Sequence, residues 1–157
     1  QRRGVMQRVW RAKSNLIFSE RTSVFDARFK QATVTQGNIR HVVTLMANDK
    51  HADADFWNSQ TGIEYHRLPI SEPTKVDVYP DDIRKLKKLI RQISTDYAKG
   101  AGVWSVCYGG RNRSNLFLAL LLIESGWSSK AAVALLKHTR KGSFQNKRFE
   151  RYLLENE

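Results

Sequence analysis

The sequence predicts a single α/β domain, and three observations carry that expectation. Short strand-like apolar runs alternate with longer runs of helical spacing. The 157 residues suffice for one sizeable core, and no internal repeat or low-complexity linker divides them. Hydrophobic residues at 41% and charged residues at 27% give a globular balance, which excludes a disordered chain.

The elements follow in order. Residues 1–13 are basic and read as an N-terminal extension of the domain. Asn15 to Ser19 reads as a short strand. Thr22 to Gln31 is expected to be helical, with Val24, Phe25 and Phe29 on one face. Arg40 to Met46 is β-branched and apolar and predicts a buried strand. A short helix at Ala52 to Asn58 and a strand at Gly62 to Leu68 come next. Pro69 opens an irregular stretch that ends at Pro80. There Pro80, Asp81 and Asp82 mark a helix start, with acidic groups near the positive end of its dipole. That helix runs to about Tyr97. Ile83, Leu86, Leu89, Ile90 and Ile93 form its apolar face, and Lys85, Lys87, Lys88 and Arg91 its solvent side. Gly100 and Gly102 break the pattern before a strand, Val103 to Cys107, and a glycine-bearing turn. Arg113 to Ser125 is a strongly apolar helix closed by Gly126. Two more helices, Ser128 to Arg140 and Phe144 to Leu154, complete the chain.

Lys and Arg number 27 against 15 Asp and Glu, a formal charge of +12. That excess favours anionic partners: phosphorylated substrates, nucleic acid or an acidic membrane surface. A solvated basic surface accounts for it equally well, so charge points to an anion without naming it. One cysteine rules out an internal disulfide and fits a reducing, intracellular compartment, with the cytoplasm the expected location. The longest apolar stretch, Leu116 to Ile123, falls short of the ~20 residues that span a bilayer. The basic N-terminus lacks the apolar core of a secretory signal.

Chemistry concentrates in Cys107-Tyr-Gly-Gly-Arg-Asn-Arg113-Ser114, at a strand–turn–helix junction. In such a turn, successive backbone N–H groups and the first N–H groups of the helix point at one spot, which suits an anion. Tyr108, Gly109, Gly110, Arg111 and Asn112 form the turn, and the two glycines allow the backbone close to a phosphate. Arg113 at the helix start can grip two phosphate oxygens with its planar fork. A thiol in that field ionises below its free value of about 8.5. Cys107 is therefore the candidate nucleophile, with Ser114 beside it to hydrogen-bond the sulfur and ease its departure.

This segment resembles the signature loop of the protein tyrosine phosphatase superfamily, His-Cys-x5-Arg-Ser/Thr. It is most similar to the small dual-specificity branch, where Cys-Tyr-Gly-Gly-x-x-Arg-Ser also occurs. The likeness extends to residues 38–46, which resemble the family's hydrophobic strand after the first helix. Residues 62–70 resemble the strand leading into the general-acid loop. The fold implied is a central, mostly parallel mixed sheet flanked by helices. The activity implied is hydrolysis of phosphomonoesters through a phosphocysteine, with no metal or cofactor. Two departures accompany the likeness. Val106 stands where the family usually has His, and the family's general-acid Asp falls at Ser71-Glu72. A carboxylic acid is the chemical requirement, so Glu72 is the candidate proton donor and Asp77 the alternative. Some family members position the hydrolytic water with a Gln in a C-terminal loop, and Gln145 falls at a comparable place. It reads equally as an ordinary polar residue at a helix start.

Substrate is left open. Dual-specificity action on phosphotyrosine, phosphoserine and phosphothreonine is the first expectation. Arg111 falls where phosphoinositide phosphatases carry Lys in the loop, and Asn112 before Arg113 resembles the loop of cellular RNA 5′-triphosphatases. With the basic charge, an inositol phospholipid or an RNA 5′ end is an alternative partner. Val106 and the missing Asp leave a phosphate-binding pseudophosphatase as the reading from another class. The four histidines, His41, His51, His66 and His138, show no metal-ligand spacing in the sequence. Trp10, Trp57, Trp104 and Trp127 are scattered and read as core anchors.

Overall fold

The computed structural model describes residues 7–75 and 77–156. Its centre is β5 (Gly102–Val106), whose five residues are all buried, as a strand covered on both faces must be. Around it lie β1 (Trp10–Lys13), β2 (Leu16–Ser19), β3 (Ile39–Thr44) and β4 (Glu64–Arg67). They form one sheet in the order β1-β2-β5-β3-β4. β1 runs antiparallel to β2, and every other pairing is parallel. Gly102 is required where β5 starts. A Cβ there would lie 2.1 Å from Gly37 O, and Gly102 N donates to Asn38 O at 2.8 Å.

Side chains alternate across the sheet. Leu16, Phe18, Val43 and Val103 face one apolar core; Ile17, Ile39, Val42, Trp104 and Val106 face another. The first core is closed by α4 (Pro80–Ala98), α5 (Arg113–Glu124), α6 (Ser129–Thr139) and α7 (Lys147–Asn156). The second is closed by α1 (Ala27–Gly37) and α3 (Ala54–Asn58), the short α2 (Asp49–Ala52) preceding α3 in the chain. α5 is buried at every position from Ser114 to Leu122 because it packs against β2, β5, α4, α6 and α7 at once. Each leucine so buried contributes roughly 1.5–3 kcal/mol. This helix therefore anchors the loop that precedes it.

The helix at Pro80 matches expectation, with Ile83, Leu86, Leu89, Ile90 and Ile93 buried and Lys85, Lys88 and Arg91 exposed. Other expectations are corrected. The segment read as an N-terminal extension supplies the edge strand β1 at residues 10–13. The helix expected at 22–31 is a 3-10 turn, Thr22–Val24, followed by α1 starting at residue 27. Asp26 makes that start, its side chain accepting from Phe29 N at 2.8 Å. The helix expected at 52–58 is α2 and α3, divided by Asp53 in the left-handed region (φ 57°). The last helix begins at Lys147, since Phe144 has φ 60° and seats its ring in the core. Trp57 and Trp104 are fully buried in edge-to-face contact at 5.3 Å, whereas Trp10 and Trp127 are half-buried. No helix among the described residues is long and apolar enough to cross a membrane.

Candidate active site

The loop begins where β5 ends. Leu45 N donates to Val106 O at 2.9 Å and Cys107 N to Ser19 O at 3.3 Å, so the central strands carry Cys107 into place. Cys107 is buried, with Sγ 3.2 Å from Ser114 Oγ in the first turn of α5. In the thiolate form, the hydroxyl is the donor. Val106, at the position of the family's usual His, is buried in the core beneath α1 and α3.

From Tyr108 to Arg111 every carbonyl is engaged on the outside of the turn. Tyr108 O accepts from Arg21 N at 3.2 Å. Gly109 O and Gly110 O accept from Arg140 Nη1 at 2.7 and 2.9 Å. Asn115 Nδ2 donates to Gly110 O and Arg111 O at 3.2 and 3.0 Å, and Phe144 N to Arg111 O at 2.7 Å. In a trans peptide the N–H points opposite its C=O. The N–H groups of Gly109, Gly110, Arg111 and Asn112 therefore face the hollow of the turn, beside the N-terminus of α5. That arrangement is an anion cradle. Gly110 has φ 68°, and a Cβ there would meet the Ser19 carbonyl carbon at 2.8 Å. Gly109 is under no such restriction, having no heavy atom beyond its chain neighbours within 4 Å of a Cβ position. Of the two glycines, Gly110 is the one pressed against the protein's own backbone.

Arg113 is largely buried and reaches back toward β3. Its Nη1 lies 3.4 Å from Ile70 O and 3.5 Å from Leu45 O. Its Nε is buried without a hydrogen-bond partner among the described residues. An unpaired buried donor is costly, and an anion in the cradle would satisfy it. Glu72 Oε1 lies 3.6 Å from that nitrogen. Glu72 Oε2 accepts from Asn112 Nδ2 at 2.6 Å and from Asn146 Nδ2 at 3.3 Å. Asn146 also donates its N–H to Asn112 Oδ1 at 2.7 Å and its Nδ2 to Pro73 O at 2.8 Å. These bonds join the loop, the stretch after β4 and the segment before α7.

Of the two carboxylates singled out in the sequence, Glu72 reaches the loop. Asp77 pairs instead with Arg151 of α7 at 3.4 Å, its side chain 77% exposed. Asp81 and Asp82 stand in the first turn of α4, where Asp82 Oδ2 accepts from Ser71 N at 2.9 Å. Gln145 is exposed and sits between Phe144 and Asn146, both bonded to the loop. Arg111 is exposed on the turn. The Tyr108 ring is also exposed, with the Arg21 guanidinium 4.2 Å from its centroid and the His51 ring edge-on at 5.1 Å.

The profile of the family described as "Dual specificity phosphatase, catalytic domain" matches residues 25–157. The chain belongs to this family. It is a cysteine-based phosphatase of the protein tyrosine phosphatase superfamily and a dual-specificity phosphatase-like hydrolase. No curated protein sequence gives a significant match. Among solved structures, human DUSP28 is 16% identical with a TM-score of 0.73, over 95% of this chain and 92% of that one. The human tyrosine phosphatase-like serine/threonine/tyrosine-interacting protein is 20% identical with a TM-score of 0.69, over 94% and 93%. PTPMT1 in complex with PI(5)P is 20% identical with a TM-score of 0.70, over 94% and 92%. At these identities the likeness is one of fold.

Within this phosphatase domain, Arg140, Asn115 and Asn146 are loop-supporting residues that sequence reasoning misses. Asn115 leaves one visible signal, a polar side chain inside an otherwise apolar helix. Arg140 sits at the end of a helix 30 residues from the carbonyl it holds. Burial, with Arg111 nearby, pushes Arg140 below its ordinary value, while Cys107 pulls the other way.

Proposed function

We propose that the chain is a dual-specificity protein phosphatase that dephosphorylates tyrosine, serine and threonine through a phosphocysteine at Cys107. The observation that carries this reading is the turn with its carbonyls bonded outward around a buried thiol. Its inward N–H groups suit three equatorial phosphoryl oxygens, and Arg113 Nε supplies a further donor. Cys107 Sγ attacks phosphorus as the bond to the leaving oxygen breaks, and that oxygen takes a proton from Glu72. Water then attacks phosphorus, Glu72 takes its proton, and the sulfur leaves with Ser114 donating to it. Gln145, held between two residues anchored on the loop, positions that water. The exposed Tyr108 ring with Arg21 upon it borders the site, a flat cationic rim suited to phosphate carried on varied peptide side chains. The exposed guanidinium of Arg111 supports a second reading, a phosphoinositide substrate with an additional phosphate. A free thiol at the centre of the chemistry agrees with a reducing compartment.

Glu72→Gln and Asp77→Asn test the acid by leaving group. Glu72→Gln should lower kcat/KM, which reports phosphoryl transfer to Cys107 and leaves out the later hydrolysis, about 10²–10⁴-fold on an alkyl phosphate, and much less on an aryl phosphate whose leaving oxygen needs no proton. Asp77→Asn should leave both unchanged. Equal loss of kcat/KM on both esters would make Glu72 a strut for Arg113 instead. The same preparations assayed on phosphopeptides, inositol phospholipids and 5′-triphosphate RNA decide the substrate class. Turnover of lipid or RNA well above phosphopeptide would overturn the protein-phosphatase reading.

A further inference from the structure

We infer that His41, Glu64 and His66 form a site for a divalent transition-metal ion of the Zn2+ type, separate from the catalytic loop. Their spacing along the chain gives no hint of it; the parallel register of β3 and β4 creates it, pairing His41 with Glu64 and Val43 with His66. His41 Nδ1 lies 2.9 Å from His66 Nε2 and 3.5 Å from Glu64 Oε2, and His66 Nε2 lies 3.7 Å from Glu64 Oε2. Tetrahedral zinc, with bonds of about 2.0–2.2 Å to nitrogen and oxygen, places its ligand atoms roughly 3.3–3.6 Å apart. The two separations from Glu64 Oε2 lie at or just beyond that spacing and the His41–His66 pair is shorter, so an ion that parts the two imidazoles by roughly 0.5 Å meets one face of such a tetrahedron. Imidazole and carboxylate together are a donor set that suits zinc.

A second observation fixes the orientation of the buried ligand. His41 Nε2 lies 2.8 Å from Asp96 Oδ2 on α4, so Nε2 carries the proton and Nδ1 turns a lone pair toward His66 and Glu64. A carboxylate behind a ligand imidazole is the usual outer partner of a metal-bound histidine. The His41 side chain is 3% exposed and that of Glu64 70% exposed, so the site has a rigid base and an open side. A surface cavity of about 350 Å3 lined by Arg40, His41, Glu64, Asp96 and Lys99 gives an ion access. β5 residue Val103 pairs with His41, four residues before Cys107, which puts the cluster roughly 13 Å along the strand from the thiol.

The test titrates Zn2+ into chelator-treated protein carrying Cys107→Ser, which removes a thiolate that would itself bind zinc. Competition with a chromophoric chelator gives affinity and stoichiometry, and Co2+ in place of Zn2+ reports geometry by its visible spectrum. One ion per chain and a tetrahedral cobalt spectrum are expected. Both should be lost in His66→Asn and strongly weakened in Glu64→Gln. Asp96→Asn should weaken binding about 10–100-fold. Thermal melts of the metal-free variants confirm folding, and Zn2+ should raise Tm only where the three ligands are intact. Absence of binding by the folded protein would overturn the site. So would one-to-one binding unchanged by His66→Asn and Glu64→Gln. In either case the His41–His66 contact is a plain hydrogen bond.

Discussion

Arg140 acts on the loop from behind. Its Nη1 holds two consecutive carbonyls, those of Gly109 and Gly110, while its guanidinium lies 3.7 Å from the Trp10 ring centroid. The contact with Trp10 couples the edge strand β1 to the orientation of the phosphate cradle. Without Arg140, the Gly109 carbonyl loses this hold and the Gly110 carbonyl keeps the one from Asn115, so the N–H group of Gly110 loses its aim and that of Arg111 is less firmly held. Arg140→Ala should therefore reduce kcat/KM on a small aryl phosphate about 10-fold, equivalent to about 1.4 kcal/mol. Arg140→Lys should recover part of it, since an ammonium also donates hydrogen bonds but is a more strongly hydrated point charge beside the Trp10 ring. Steady-state kinetics of the two variants check this. Wild-type kinetics in Arg140→Ala would show that the remaining contacts hold the loop alone.

At the scale of elements, the start of α1 illustrates how side chains rather than apolar spacing place a helix. Asp26 accepts from Phe29 N at 2.8 Å and from Gln7 Nε2 at 2.8 Å. Those two hydrogen bonds, the backbone one foremost, hold its carboxyl below the ordinary 3.8. The folded chain thus gives up this proton more readily than the unfolded one. The stabilisation is present above pH 3.8 and is lost as pH falls through the lower folded value. Asp26→Ala should lower Tm near neutral pH, and its difference from wild type should shrink as the solution is acidified below that point. Melting curves of both proteins over this range measure it; a constant difference would exclude the carboxylate as its source. The break between α2 and α3 has a tertiary cause of the same kind. Asp53, at φ 57°, accepts from Lys30 Nζ at 2.7 Å and from Thr22 Oγ1 at 3.1 Å, a pairing across the fold that ends one short helix and begins another.

Across the whole molecule, the parallel strands β2, β5 and β3 converge on one end of the sheet, where the loop and the start of α5 sit. The segment from Cys107 to Ser114 was legible in the sequence because its chemistry is local: strand, glycines, arginine and helix follow one another within a few residues. The amphipathic helix α4 and the apolar helix α5 were legible for the same reason, each carrying its burial pattern in its own spacing. β1 was hidden because it is a half-buried edge strand with two basic residues among four. The bonds among Asn112, Asn146 and Glu72 span 34 to 74 residues, and single asparagines leave no pattern to read. His41 and His66 stand 25 residues apart and meet only through sheet register. A phosphocysteine at Cys107 can be trapped by acid-quenching the enzyme during turnover of an aryl phosphate and mapping the phosphoryl group by peptide mass spectrometry. Label is expected on the peptide containing Cys107, with neither label nor turnover in Cys107→Ser. Undiminished turnover by that variant, or label on another residue, would contradict it.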